Sequence, residues 1–190
     1  MKKKIGLLGG TFNPPHKGHL KMAQLALKEA QLDAVYFLPN AVPPHKQQDV
    51  EVTDDQRLMM LAQLVKGQSS LYVCPFEIEK GGVSYTYETI RQLKKQYTEV
   101  DFYFIIGGDM IESLHTWVNI DELMNNVTFI GFDRDRRGIT SPYPIQRINA
   151  PLVPISSTLI RNKVRAGENI LNEVPEEVAT FIQKEGLYVD

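Results

Sequence analysis

His16 and His19 stand three residues apart, with Gly18 between them, at the end of the stretch "GGTFNPPHKGH", Gly9 to His19. If a helix starts there, both imidazoles lie on one side of its first turn. Two imidazoles so placed can donate hydrogen bonds to phosphate oxygens and meet charge that grows in a transition state. The same pair could also be half of a metal site, or two surface histidines. A metal site needs further ligands, and the remaining histidines are His45 and His115, with carboxylates as other candidates. On residue types alone the three readings stay open.

Upstream of the histidines, Gly9 and Gly10 allow close approach to the backbone, and the N–H groups beyond them suit a phosphate at the start of the next helix. Pro14 and Pro15 stiffen the turn into that helix. The spacing Gly6-x-x-Gly9-Gly10 does not fit G-x-G-x-x-G, and no G-x-x-x-x-G-K-[ST] occurs in the chain.

Two later stretches offer related chemistry. In "ISSTLIR", Ser156, Ser157 and Thr158 place hydroxyls at a helix start, and Arg161 adds a fixed charge one turn on. Without a functional role, Ser157 would be an N-cap and Arg161 a solvated surface residue. In "IIGGD", Gly107 and Gly108 open space and Asp109 can accept hydrogen bonds from ribose hydroxyls, or simply cap a helix.

These residues must be carried by regular elements. "KIGLLGG" (Lys4–Gly10) and "AVYFLPN" (Ala34–Asn40) are continuous apolar runs, as in strands buried on both faces. Between them, Leu20, Ala23, Leu27 and Ala30 recur at helical spacing. Thr53-Asp-Asp-Gln56 is a capping box for a helix burying Leu58, Leu61, Ala62 and Val65. "LYVCPFEI" predicts a strand, "TYETIRQLKKQY" a helix, and "DFYFIIGGD" a strand. A helical stretch then runs to about Met124, and "VTFIGF" is a strand. Asp133 to Asn149 reads as loop with one short strand. One helix begins near Ser157, and another has Pro175 in its first turn. This alternation predicts an α/β fold over residues 1–190: a single-domain, Rossmann-like, doubly wound parallel sheet with flanking helices. Its ligand would bind outside the carboxyl ends of the strands.

Composition bounds the rest. The 190 residues are 43% apolar with a net charge of −2, and the charges are dispersed, which argues against a broad nucleic-acid-binding surface. Cys74 is the sole cysteine, so neither an intrachain disulfide nor a multi-thiolate metal site can form, and its apolar flanks point to packing. No window approaches a membrane span, so a cytoplasmic protein is expected.

The Gly9–His19 stretch closely resembles the [ST]-F-x-P-x-H-x-G-H signature of the nucleotidyltransferases that adenylylate small phosphorylated metabolites, and "ISSTLIR" resembles their second signature. Further stretches are similar to the bacterial nicotinate mononucleotide adenylyltransferase family: "FLPNAVPPHK", "SYTYETI" and the lone Trp117. Asn13 stands where many members have Asp. The resemblance implies His16, His19 and Arg161 as catalytic residues. It implies an ATP site from Gly9, Gly10, Thr11, Phe12, Gly107, Asp109, Ser156, Ser157 and Thr158. Nicotinate mononucleotide would meet Asn40, Lys46, Thr86, Trp117 and Arg134, with Trp117 stacked on the pyridine ring or else packed in the core. Mg²⁺ would be held mainly by ATP's phosphates, with no dedicated protein metal site. The substrates would be small molecules, with neither nucleic acid nor membrane as partner. Oligomeric state is not readable from the residues, and a homodimer stays among the options.

Overall fold

The computed structural model describes residues 2–42, 52–133, 141–149 and 154–189. Lys46 and Arg134 lie outside them, as do Arg136 and Arg137. Six strands, β1 (Lys3–Gly10), β2 (Ala34–Pro39), β3 (Leu71–Val73), β4 (Val100–Gly107), β5 (Thr128–Asp133) and β6 (Ile145–Asn149), form one sheet in the order β3-β2-β1-β4-β5-β6. Every neighbouring pair is parallel. The chain winds outward one way from β1 to β3 and the other way from β4 to β6. The crevice at this reversal, between the carboxyl ends of β1 and β4, is where such sheets hold ligands.

Helices α1 (Lys17–Glu29), α2 (Asp54–Val65), α3 (Phe76–Lys80), α4 (Thr86–Gln96), α5 (Gly108–Ser113), α6 (Ile120–Asn126), α7 (Ser157–Arg165) and α8 (Glu176–Lys184) make the connections or flank them. They cover both faces. On one face Ala23 and Ala26 of α1, Met60 and Leu64 of α2 and Val178 and Ile182 of α8 pack on Leu8, Phe37 and Ile105. On the other, Ile90 and Leu93 of α4 and Leu123 of α6 pack on Leu7, Phe104 and Phe129. This double coverage explains why the strands read as continuous apolar runs.

Three local expectations change. The strand predicted over "LYVCPFEI" ends at Val73; Pro75 then caps α3, whose first turn carries Glu77 and Glu79. Acidic residues suit the positive end of a helix, and proline cannot donate to a sheet ladder. The helical stretch running to Met124 is three pieces: α5, a 3-10 turn over Leu114–Thr116, and α6, entered through Asn119 at a left-handed φ of 52°. Helix α2 starts at the predicted capping box, but its buried residues are Arg57, Met60, Leu61 and Leu64. The predicted face is thus turned by one residue, because position 57 is buried despite its charge. Cys74 is half-buried, and burial pushes its thiol pKa up, as befits a packing residue.

Candidate active site

The phosphate-type motif begins where β1 stops. A side chain on Gly9 would put its Cβ 2.9 Å from Cζ of Phe104, and one on Gly10 would meet the Phe12 ring at 3.0 Å. These glycines therefore make room first for the protein's own rings. Phe12 holds a left-handed φ of 53° and is buried, its ring edge-on to His19 (centroids 4.9 Å apart) and to Phe37 (5.6 Å). Gly107 differs: a Cβ there would meet nothing within 4 Å.

His16 is the N-cap of α1 and His19 its third residue. The His19 N–H donates to Nδ1 of His16 (3.4 Å), and the His16 N–H donates to Nδ1 of His19 (3.2 Å). This is a capping box built from two imidazoles. The rings stack with centroids 3.6 Å apart. Because each Nδ1 accepts, the proton of each neutral ring sits on Nε2. Gly18 is required by the same arrangement, since a Cβ there would fall 2.9 Å from Nδ1 of His16. The expected anion site on the amides of α1 is largely used up internally: the Lys17 N–H donates to the Glu173 carbonyl (2.9 Å) and the His19 N–H to His16.

Helix α7 brings the second motif against the first. Its N-cap is Ser156, whose hydroxyl accepts from the Leu159 N–H (3.1 Å), so the capping role falls one residue before Ser157. Ser157 Oγ instead donates to the Pro14 carbonyl (2.8 Å). Arg161 is no solvated surface residue; it donates to the Asn13 carbonyl (2.8 Å) and, through its other terminal nitrogen, to Thr158 Oγ1 (3.4 Å). Asn13 is held from a second side, where Tyr188 OH donates to its Oδ1 (2.6 Å).

These groups line one cleft of about 650 Å³ over the crevice between β1 and β4. All the sequence-predicted residues that are described reach it: Gly9, Gly10, Thr11, Phe12, His16, His19, Asn40, Thr86, Gly107, Asp109, Trp117, Ser156, Ser157, Thr158 and Arg161. Asp109 is not a helix cap, because the N-cap of α5 is Gly107 and Asp109 lies exposed in the first turn. Trp117 packs edge-to-face on Phe104 (5.9 Å) and Phe129 (6.0 Å) and still lines the cleft, so the core and pocket readings hold together. Thr86 opens α4 on the same side. Asn40 Oδ1 is buried with no hydrogen-bond partner among the described residues, an acceptor left for a donor.

Sequence reasoning missed two residues here. Arg57 is 2% exposed at the cleft and donates to the carbonyls of Thr11 (2.8 Å) and Asn40 (2.6 Å) and to the Asp54 carboxylate (2.6 Å). Glu77 is also buried in the wall and accepts from Thr89 Oγ1 (2.7 Å); burial pushes its pKa up, partly offset by hydrogen bonds from Thr89 and Ser84. A buried arginine at an apolar helical position was the one available signal for the first. Among the described residues no group of three or more His, Cys, Asp and Glu side chains gathers to hold a metal, and no helix is long and apolar enough to cross a membrane.

The model of the cytidylyltransferase-like family matches residues 7–163, which span both motifs. A Halalkalibacterium halodurans protein carrying the name "probable nicotinate-nucleotide adenylyltransferase" is 47% identical over 98% of this chain and 91% of its own. A Listeria monocytogenes protein of the same name is 44% identical over 99% and 98%. The chain belongs to the nicotinate-nucleotide adenylyltransferase family. The fold agrees with that membership: the Plasmodium falciparum nicotinic acid mononucleotide adenylyltransferase, solved with NaAD, superposes with a TM-score of 0.81, at 20% identity over 98% of this chain and 97% of that one. Within the family's cleft, the two signatures meet through the Arg161–Asn13 and Ser157–Pro14 hydrogen bonds.

Proposed function

We propose that the cleft transfers the adenylyl group of ATP to the phosphate of nicotinate mononucleotide, giving deamido-NAD and pyrophosphate, as a step of NAD biosynthesis in the cytoplasm. The mononucleotide oxygen attacks the α-phosphorus in line and the bond to the departing pyrophosphate breaks. That oxygen is already ionised, so the reaction needs no general base and no covalent enzyme intermediate. Catalysis then consists of positioning and charge stabilisation. The observation that carries this reading is the imidazole capping box facing the start of α7 across one cleft.

Each group has a role within it. His16 and His19 donate from Nε2 to the triphosphate as charge shifts to the leaving group. The amides near Thr11 and Phe12, with Ser156, Thr158 and Arg161, complete the cradle. Gly107 leaves space for the adenosine, and Asp109 accepts from its ribose. On the acceptor side Thr86 and the start of α4 face the nicotinate carboxylate, Trp117 meets the pyridine ring, and Asn40 Oδ1 accepts from the mononucleotide. Lys46 and Arg134 are proposed to reach its phosphate and outer face. ATP enters as its Mg²⁺ complex, the ion held by phosphates and water and offsetting their charge.

The test is pyrophosphate release from ATP and Mg²⁺ with nicotinate mononucleotide, its amide or phosphopantetheine as acceptor. Strong preference for the acid is expected. Turnover only with another acceptor would keep the phosphate chemistry and overturn the nicotinate pocket. ATP binding without release from any acceptor would make the protein a nucleotide sensor.

A further inference from the structure

The guanidinium of Arg57 is spread over three acceptors, and two of them are main-chain carbonyls just beyond strand ends. Nη1 donates to the carbonyl of Thr11, the first residue after β1; Nη2 donates to the carbonyl of Asn40, the first after β2, and to Oδ1 of Asp54. The strands themselves are paired only as far as Gly10 and Pro39. Beyond that point Asn40 N–H still reaches the Gly10 carbonyl (3.0 Å), and Asn40 Nδ2 lies 3.4 Å from Thr11 Oγ1. The guanidinium therefore continues the spacing of β1 and β2 where their ladder has run out.

An apolar side chain would fill position 57 without the cost of burying a charge, since Met60, Leu61 and Leu64 share its face of α2. The arginine is balanced instead by two carbonyl dipoles and by Asp54, whose side chain is 45% exposed. The two anchored residues lead in different directions. Thr11 opens the turn that carries His16 and His19. Asn40 lies at the end of β2, on the proposed acceptor side.

We infer that Arg57 is a positioning residue that sets the distance between the ATP side and the acceptor side of the cleft. It acts on the rate of transfer more than on the binding of either substrate. The inference rests on the adenylyl-transfer reading above. In-line attack is sensitive to the approach of its two reactants, and a shift of about 1 Å between them costs about 10²-fold in rate.

Arg57→Lys keeps the charge but supplies a single point donor that cannot span two carbonyls. Its kcat should fall by about 10–100-fold while KM for ATP and for nicotinate mononucleotide each move less than about threefold. Asp54→Ala removes the outer tether at a half-exposed position and should lower kcat by a smaller factor with the same KM pattern; it keeps the test open if Arg57→Lys does not fold. Unchanged kcat in folded variants would overturn the inference, and so would a rise in one KM matching the loss in kcat. A wild-type enzyme that releases no pyrophosphate with this acceptor would instead sink the underlying reading, so the two failures are separable.

Discussion

His16 and His19 each cap the backbone of the other, and their rings lie 3.6 Å apart because of it. The helix start and the proposed phosphate donors are thus one object. Both Nδ1 atoms are spent on holding the backbone, which assigns the ring proton to Nε2 in each neutral imidazole.

His19→Ala should lower kcat by about 10²–10³, the usual cost of losing a preorganised donor. It also removes half of the capping box, which should lower the melting temperature. His19→Gln separates the two effects, since glutamine in the third helical position can still accept from the His16 N–H. Melting temperature should recover in the glutamine variant while kcat stays low. A kcat within threefold of wild type in a folded His19→Ala enzyme would remove His19 from the chemistry.

Gly9→Ala should destabilise the fold by about 1–3 kcal/mol, because its Cβ would press on the buried Phe104 ring at 2.9 Å. Phe104 in turn supports Trp117. Urea unfolding measures the first effect, and the KM for the mononucleotide should rise with it. A variant as stable as wild type would show that Phe104 has room to move.

Trp117→Ala should raise KM for nicotinate mononucleotide more than KM for ATP, since loss of offset stacking costs about 0.5–1.5 kcal/mol beyond the lost area. Its packing on Phe104 and Phe129 predicts a lower melting temperature as well. Equal shifts in both KM values would leave the ring a core residue alone.

Glu77 gives a pH dependence with a definite sign. Burial raises its pKa in the folded protein, so between the ordinary glutamate range and the raised value the folded state binds more protons than the unfolded one. Stability from this group therefore falls as pH rises through that window, and the penalty is complete above it. Glu77→Gln keeps an acceptor for Thr89 Oγ1 and removes the charge. Melting curves from acid to neutral pH should lose less stability in the variant; parallel curves would mean Glu77 does not titrate there.

Much of this was legible from residue types, and the failures share a cause. The ends of β1 and β4 and the Thr53–Gln56 box follow from local signals: apolar runs closed by glycines, and side chains that cap their own helix. Arg57 and Glu77 were missed because patterning assigns charges to the surface, and only tertiary partners such as Thr11, Asn40 and Thr89 make their burial tolerable. Gly9 and Gly10 line the cleft, but the chain does not announce that Phe104 and Phe12 also fold back over them. The cap at Ser156 instead of Ser157 was likewise unreadable, because it depends on where Pro14 offers its carbonyl.

Asn13 and Pro14 are gripped by Ser157, Arg161 and Tyr188, residues more than 140 positions further along the chain. This sets an order of events during synthesis. The glycine-rich turn leaves the ribosome well before its fastenings do. A nascent chain that stops short of α7 has the strands and the histidines but not the clamp that fixes their turn. The turn that leads to the two histidines is thus fastened only once α7 and Tyr188 have been made.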